Sequence, residues 1–117
     1  MQSIYPILSE GQRLSMLSAP TQKISMVLDT DTFNEIDDQF AVTYSLLARE
    51  KVEVQAFYAA PFFNSLSSGP EDGMEKSYQE LLRILERLGE STENRVFRGS
   101  RQYLPGPQEP VDSPAAR

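Results

Sequence analysis

Ile24-Ser25-Met26-Val27-Leu28-Asp29-Thr30-Asp31-Thr32-Phe33-Asn34-Glu35-Ile36-Asp37-Asp38 is the stretch on which the reading of this chain turns. Its opening run, Ile24 to Leu28, is too short for an independent helix and has the composition of a strand covered on both faces. Acid replaces apolar character abruptly at Asp29, so the strand is expected to end there and the chain to turn. Four aspartates then fall within ten residues: Asp29 and Asp31 around the strand end, Asp37 and Asp38 in the first turn of the next element.

That next element has the pattern of a helix. Phe40, Tyr44 and Leu47 recur at helical spacing with Ala41, Val42, Leu46 and Ala48 around them, predicting a helix from about Asp37 to Arg49 whose buried face carries those large residues. Val52, Val54 and Ala56 alternate with Glu53 and Gln55 before the run turns fully apolar through Ala60, which predicts a second strand closed by Pro61. A Ser-, Gly- and Pro-rich loop over Phe62–Gly73 precedes Met74, Tyr78, Leu81, Leu82, Leu85 and Leu88, an amphipathic helix with Gly89 as its C-cap. Val96-Phe97 is a brief third strand. Ahead of all this, Ser9-Glu10-Gly11-Gln12 has capping-box spacing and predicts a short leading helix that stops before Pro20. The order strand, helix, strand, helix, strand predicts an α/β protein: a Rossmann-like parallel sheet with flanking helices and right-handed crossovers. Residues 1–104 form the domain in this reading, and the proline-rich 105–117 reads as a tail or truncated end.

Composition narrows the chemistry. A net charge of −6 with 39% hydrophobic and 24% charged residues describes a folding chain that repels nucleic acid and anionic membrane. No cysteine and no histidine are present, so a metal here is held by oxygen, and acid-base work falls to carboxylates, Tyr and Lys. Met1–Leu8 lacks the basic region of a secretory signal and no run has membrane-spanning length, which points to the cytoplasm.

In open α/β sheets ligands bind beyond the carboxyl ends of the strands, where the Asp29–Asp38 loop is expected to lie. Clustered carboxylates oppose one another's ionisation unless a cation neutralises them, and an all-oxygen set with flexible geometry leans to Ca2+ over magnesium. The plainer reading gives Asp37 and Asp38 to helix capping and the macrodipole, and Asp29 and Asp31 to a turn; capping, however, uses one or two acids and leaves the rest unexplained.

Val27-Leu28-Asp29-Thr30-Asp31 followed by Asp37-Asp38-x-x-Ala41 resembles the N-terminal fingerprint of the inosine–uridine nucleoside hydrolases, with Asn64 in the loop after the second strand and Val96-Phe97-Arg98-Gly99 further along. The resemblance implies calcium-dependent hydrolysis of the N-glycosidic bond of nucleosides. It implies that Asp31 ligates calcium and takes a proton from the bound water, that Asp38 is a second ligand, and that Asp29 steadies the metal from behind. It implies that Asp37 and Asn64 hydrogen-bond the ribose hydroxyls. The loop Thr32–Ile36 is two residues longer than the commoner family loop, which leaves Asn34 and Glu35 without an assigned role. The resemblance spans nearly all of this chain and only the opening part of the family domain, so the chain is expected to be a fragment, with a homo-oligomer as a further expectation.

Two other functions compete. Asp29-Thr30-Asp31-Thr32 after an apolar strand also resembles the first motif of haloacid-dehalogenase-type phosphatases, with Asp29 as phosphoryl acceptor and Asp31 as acid/base; that scheme leaves Asp37, Asp38 and Asn64 unused. A catalytically silent metal-binding remnant is the third. Arg95, Arg98 and Arg101 read as scattered surface charge.

Overall fold

The structure, a computed structural model, describes residues 6–117; Met1–Tyr5, part of the stretch read above for a targeting signal, lie outside the described residues. Helix α1 (Glu10–Leu17) is followed by strand β1 (Ile24–Thr30), helix α2 (Ile36–Leu47), strand β2 (Val52–Ala59), helix α3 (Pro70–Arg87) and strand β3 (Val96–Arg98). The three strands form one parallel sheet in the order β1-β2-β3. Because the order advances in one direction, crossovers of a single hand carry both helices to the same face. The core shows this: Val42 and Leu46 of α2 and Met74, Leu81, Ile84 and Leu85 of α3 meet Val54, Phe57 and Ala59 of β2 and Val96 of β3.

A bulge explains why the alternation in β2 changes partway. Met26 lies opposite Val54 and Val27 opposite Ala56, so Gln55 is an extra residue. Val54 before it and Phe57 and Ala59 after it therefore all face the helices, while Tyr58 points to the other face and meets Phe97 edge-to-face with ring centroids 6.0 Å apart.

Two expectations are corrected. β1 is not covered on both faces: it is the outermost strand, and with both helices on one side Val27 stays 45% exposed and Ile24 37% exposed. Met26, Leu28 and Thr30 take the covered side. On α2 the buried face is Val42, Ser45 and Leu46, and Phe40, Tyr44 and Leu47 are exposed. Helical spacing identifies a stripe but not which neighbour it meets, and here the narrower stripe won the core.

The caps match their sequence signals. Ser9 and Gln12 form the reciprocal capping box of α1, although α1 buries none of its residues. Gly89, at φ 70°, ends α3 in the left-handed conformation, with its amide and that of Glu90 donating to the Glu86 and Leu85 carbonyls. α3 begins at Pro70, four residues before its first large apolar residue, because proline is well suited to the first turn. The proline-rich tail carries a 3₁₀ turn at Pro114–Ala116 that lies against β3.

α3 is tied to β3 by charge. Glu75 accepts two hydrogen bonds from Arg98, at 2.7 and 2.8 Å, while the Arg98 guanidinium stacks 3.7 Å from the centre of the Tyr78 ring. Arg95 and Arg101 pair with Glu90 and Glu71, so each arginine of the cluster has a carboxylate partner. Hydrogen bonding from Arg98 pulls the Glu75 carboxyl down to about 2 from an ordinary 4.5. A carboxyl lowered by folding stabilises the fold above its unfolded value and loses that contribution as pH falls through the folded one. Both side chains are about two-fifths exposed, so solvent screening reduces the contribution to about 1 kcal/mol. Glu75→Gln is expected to flatten the acid limb of the stability curve between about pH 4.5 and 2, measured by urea unfolding at stepped pH. An unchanged limb would assign acid sensitivity elsewhere.

Candidate functional site

The C-terminal edge of the sheet gathers the loop after β1, the loop after β2 and the residues beyond β3, and the amide of Ala60 closes the first gap by donating to the Thr30 carbonyl at 2.9 Å. Thr30 decides the local geometry. As the last residue of β1 it points to the helix side, where its hydroxyl donates to Asp38 Oδ1 and lies 2.9 Å from the Thr32 hydroxyl. Thr30 and Thr32 are both buried, so Asp38 in the first turn of α2 is held against the strand end by groups with no access to solvent.

Asp31 stands at the turn. Its backbone carbonyl accepts from the Asn34 amide at 2.7 Å and its Oδ2 accepts from Asn34 Nδ2 at 2.9 Å, so Asn34 clamps it from three residues ahead. Asn34 Oδ1 in turn accepts from Asn64 Nδ2 at 2.5 Å. Asn64 is itself braced: its Oδ1 accepts from the Leu66 amide at 2.9 Å, and Ser67 Oγ bonds the Phe62 carbonyl behind it. Asp31, Asn34 and Asn64 are thus one hydrogen-bonded chain across two loops.

The charge of Asp31 bears on Asp38. Burial raises the Asp38 carboxyl above its ordinary value, the Thr30 hydroxyl opposes the rise, and the negative charges of Asp31 and Asp37 add to it. A raised carboxyl stabilises the fold below its unfolded value and ceases to do so as pH climbs through the folded one, above which ionised Asp38 works against folding. Thr30→Val removes the opposing hydroxyl and is expected to move Asp38 still higher, readable as a shifted carboxyl titration by carbon NMR; a downward move would mean that Thr30 does not support the ionised form.

The other acids lie apart. Asp29 lines a cleft of about 240 Å3 with Tyr58, Gly99, Ser113 and Ala115, where burial raises its carboxyl and the charge of Asp31 adds to the effect. Asp37 is exposed at the second position of α2, and Glu35 is exposed at its N-cap without a side-chain capping bond. The expected convergence of four aspartates is narrower in the structure: among the described residues no three carboxylates come together as a metal-holding group. Thr30 separates Asp29 from the Asp38 side, since neighbours on a strand point to opposite faces.

Sequence reasoning gave no role to Thr30, Thr32 or Asn34. A small hydroxyl residue on the apolar side of a strand end, and an asparagine three residues after an aspartate, were the signals available. Asp31, Asp38 and the Thr30 hydroxyl offer oxygen, the donor type that a hard cation takes, in fewer number than the six to eight ligands calcium accepts.

The fold defines an α/β protein with a three-stranded parallel sheet, flanking helices and several carboxylates at its C-terminal edge. No family model, curated protein or solved structure matches the chain. Among the described residues no helix is long and apolar enough to cross a membrane.

Proposed function

We propose that this chain binds calcium through Asp31 and Asp38 and hydrolyses the N-glycosidic bond of ribonucleosides to base and ribose. The observation that carries the reading is the nearness of those two carboxylates, close enough for the charge of Asp31 to bear on Asp38, with Asn64 linked to Asp31 through Asn34. Neighbouring carboxylates oppose one another's ionisation, and a cation held between them removes that opposition.

Calcium, when bound, supplies a polarised water whose proton is more easily lost. Asp31 would help hold the ion and would serve as the acceptor for a proton from that water. Asp38, held by Thr30, keeps a second carboxylate on the same side, and the negative charge of the pair favours the oxocarbenium-like character that the ribose develops. Asn64 carries two amide hydrogens and gives one to Asn34; the other is what it offers a sugar hydroxyl. Asp37, exposed beside the pair in sequence, is the second proposed ribose contact, and Asp29 supports the site from the strand.

The phosphatase reading has less support. It needs Asp29 and Asp31 working on one phosphoryl group, whereas Asp29 lines the cleft beside Tyr58 and Asp31 is bonded to Asn34. Calcium titration calorimetry on the folded chain, together with chromatography of inosine and uridine incubated with it, tests the proposal. Heat of binding and free base are expected. A folded chain indifferent to calcium overturns it, as does phosphate release from a monoester that Asp29→Asn abolishes. Calcium uptake without turnover would leave a silent metal-binding protein and remove the hydrolase.

A further inference from the structure

Asn34 stands between the carboxylate proposed to hold calcium and the amide proposed to meet the sugar, and its own place is fixed from three sides. Its backbone amide donates to the Asp31 carbonyl at 2.7 Å, its Nδ2 donates to Asp31 Oδ2 at 2.9 Å, and its Oδ1 accepts from Asn64 Nδ2 at 2.5 Å. The residues just before it are anchored in the core. Thr32 is fully buried with its hydroxyl 2.9 Å from that of Thr30, and the Phe33 amide donates to Ser77 Oγ of α3, itself fully buried, at 3.5 Å.

The bonds run in one direction. An ionised carboxylate only accepts, so the amino end of the Asn34 carboxamide must face Asp31 and its oxygen must face away. That oxygen needs a donor, which turns the amino end of Asn64 towards it and leaves the Asn64 oxygen to take the Leu66 amide at 2.9 Å. Asp31 thereby sets Asn34, and Asn34 sets a residue 30 positions further along the chain. Asn64 is exposed, so a carboxamide without that partner would be free to rotate.

We infer that Asn34 is a positioning residue: it passes the placement of Asp31 to Asn64, so that the group proposed to bind ribose is oriented only while the group proposed to hold the cation faces it. The consequence for ribose binding rests on the proposed function; the coupling itself rests on the hydrogen bonds alone and is measured without metal or substrate.

Hydrogen exchange of the Asn64 side-chain protons, followed by nitrogen NMR of the full chain without added metal, reads the coupling. The proton given to Asn34 is expected to exchange roughly tenfold more slowly than the same proton in Asn34→Leu, the effect of one intact hydrogen bond. Asp31→Ala should remove the same protection, and adding Asp31→Ala to Asn34→Leu should change nothing further, the mark of residues acting in series. Unchanged protection of the buried Leu81 and Leu85 backbone amides in α3 shows that the fold is kept. With calcium and inosine, Asn34→Leu should raise KM roughly tenfold. An Asn64 side chain that exchanges alike with and without Asn34 overturns the inference, and so does one that still responds to Asp31→Ala once leucine replaces Asn34. A chain that turns inosine over with a KM indifferent to Asn34→Leu overturns it too. Protection lost as described, with no free base from the unaltered chain, upholds the coupling and removes the hydrolase.

Discussion

Asp38→Asn is expected to cost calcium affinity roughly 100-fold or more if Asp38 is the ligand proposed, since losing a direct ligand exceeds the penalty for losing a group behind one. In the absence of calcium the same variant is expected to unfold at a higher urea concentration near neutral pH than the unaltered chain. The two effects have one origin. Burial and the neighbouring charge of Asp31 push the Asp38 carboxyl upward, so an ionised Asp38 is a burden on the fold that an amide does not carry. Asn keeps an Oδ1 to accept the Thr30 hydroxyl, so the local geometry survives the change. Asp31→Asn is expected to behave alike in calcium affinity and, as the proposed proton acceptor, to lower base release from inosine by about 1,000-fold. Calcium should raise the unfolding midpoint of the unaltered chain and leave both variants unmoved. A variant destabilised without calcium, and still stabilised by it, would show that the two aspartates do not share a cation.

Gly73→Ala is expected to be the most damaging single-methyl change in the chain. A Cβ built at Gly73 falls 2.0 Å from the Phe62 carbonyl oxygen and 2.9 Å from its carbonyl carbon, contacts that only movement of backbone can relieve. Alanine improves helix propensity by about 1 kcal/mol, but overpacking against backbone costs more, so a net loss of about 2 kcal/mol is expected. For a domain of this size that is a large share of total stability. The damage also travels: the start of α3 must tilt from the Phe62–Ser67 loop, which holds Asn64 in place through the Ser67 bond to the Phe62 carbonyl. Urea unfolding and the amide resonances of Asn64 and Leu66 read both consequences. Gly11→Ala is the control, because nothing lies within 4 Å of its added Cβ and the midpoint should hold or rise. Equal midpoints for the two variants would mean that α3 does not bear on the Phe62 carbonyl.

Much of the architecture was legible from local pattern. The capping box at Ser9, the strand opening at Ile24, the alternation from Val52 to Val54, the amphipathic spacing of Met74 to Leu85 and the C-cap at Gly89 are short-range codes, because they depend on backbone hydrogen bonding and side-chain period within one element. The β, α, β, α, β order then restricts the sheet to parallel strands joined by crossovers. At the strand end the sequence showed residue types without their partners: Asp31 and Asn64 are joined through Asn34, and Asp38 is held by Thr30, links made across loops that local pattern does not encode.

The sequence by itself determined the kind and order of elements and the placing of acids at the sheet's C-terminal edge. Tertiary structure decided everything that needs a neighbour: that β1 is an edge strand with Val27 part-exposed, that α2 buries Val42 and Leu46 and leaves Phe40 and Tyr44 outside, and that Asp38 turns to Thr30 while Asp29 turns to Tyr58. The physical reason is that periodicity fixes which residues share a face, whereas burial depends on what that face meets across the chain, and side chains of like spacing carry no record of it.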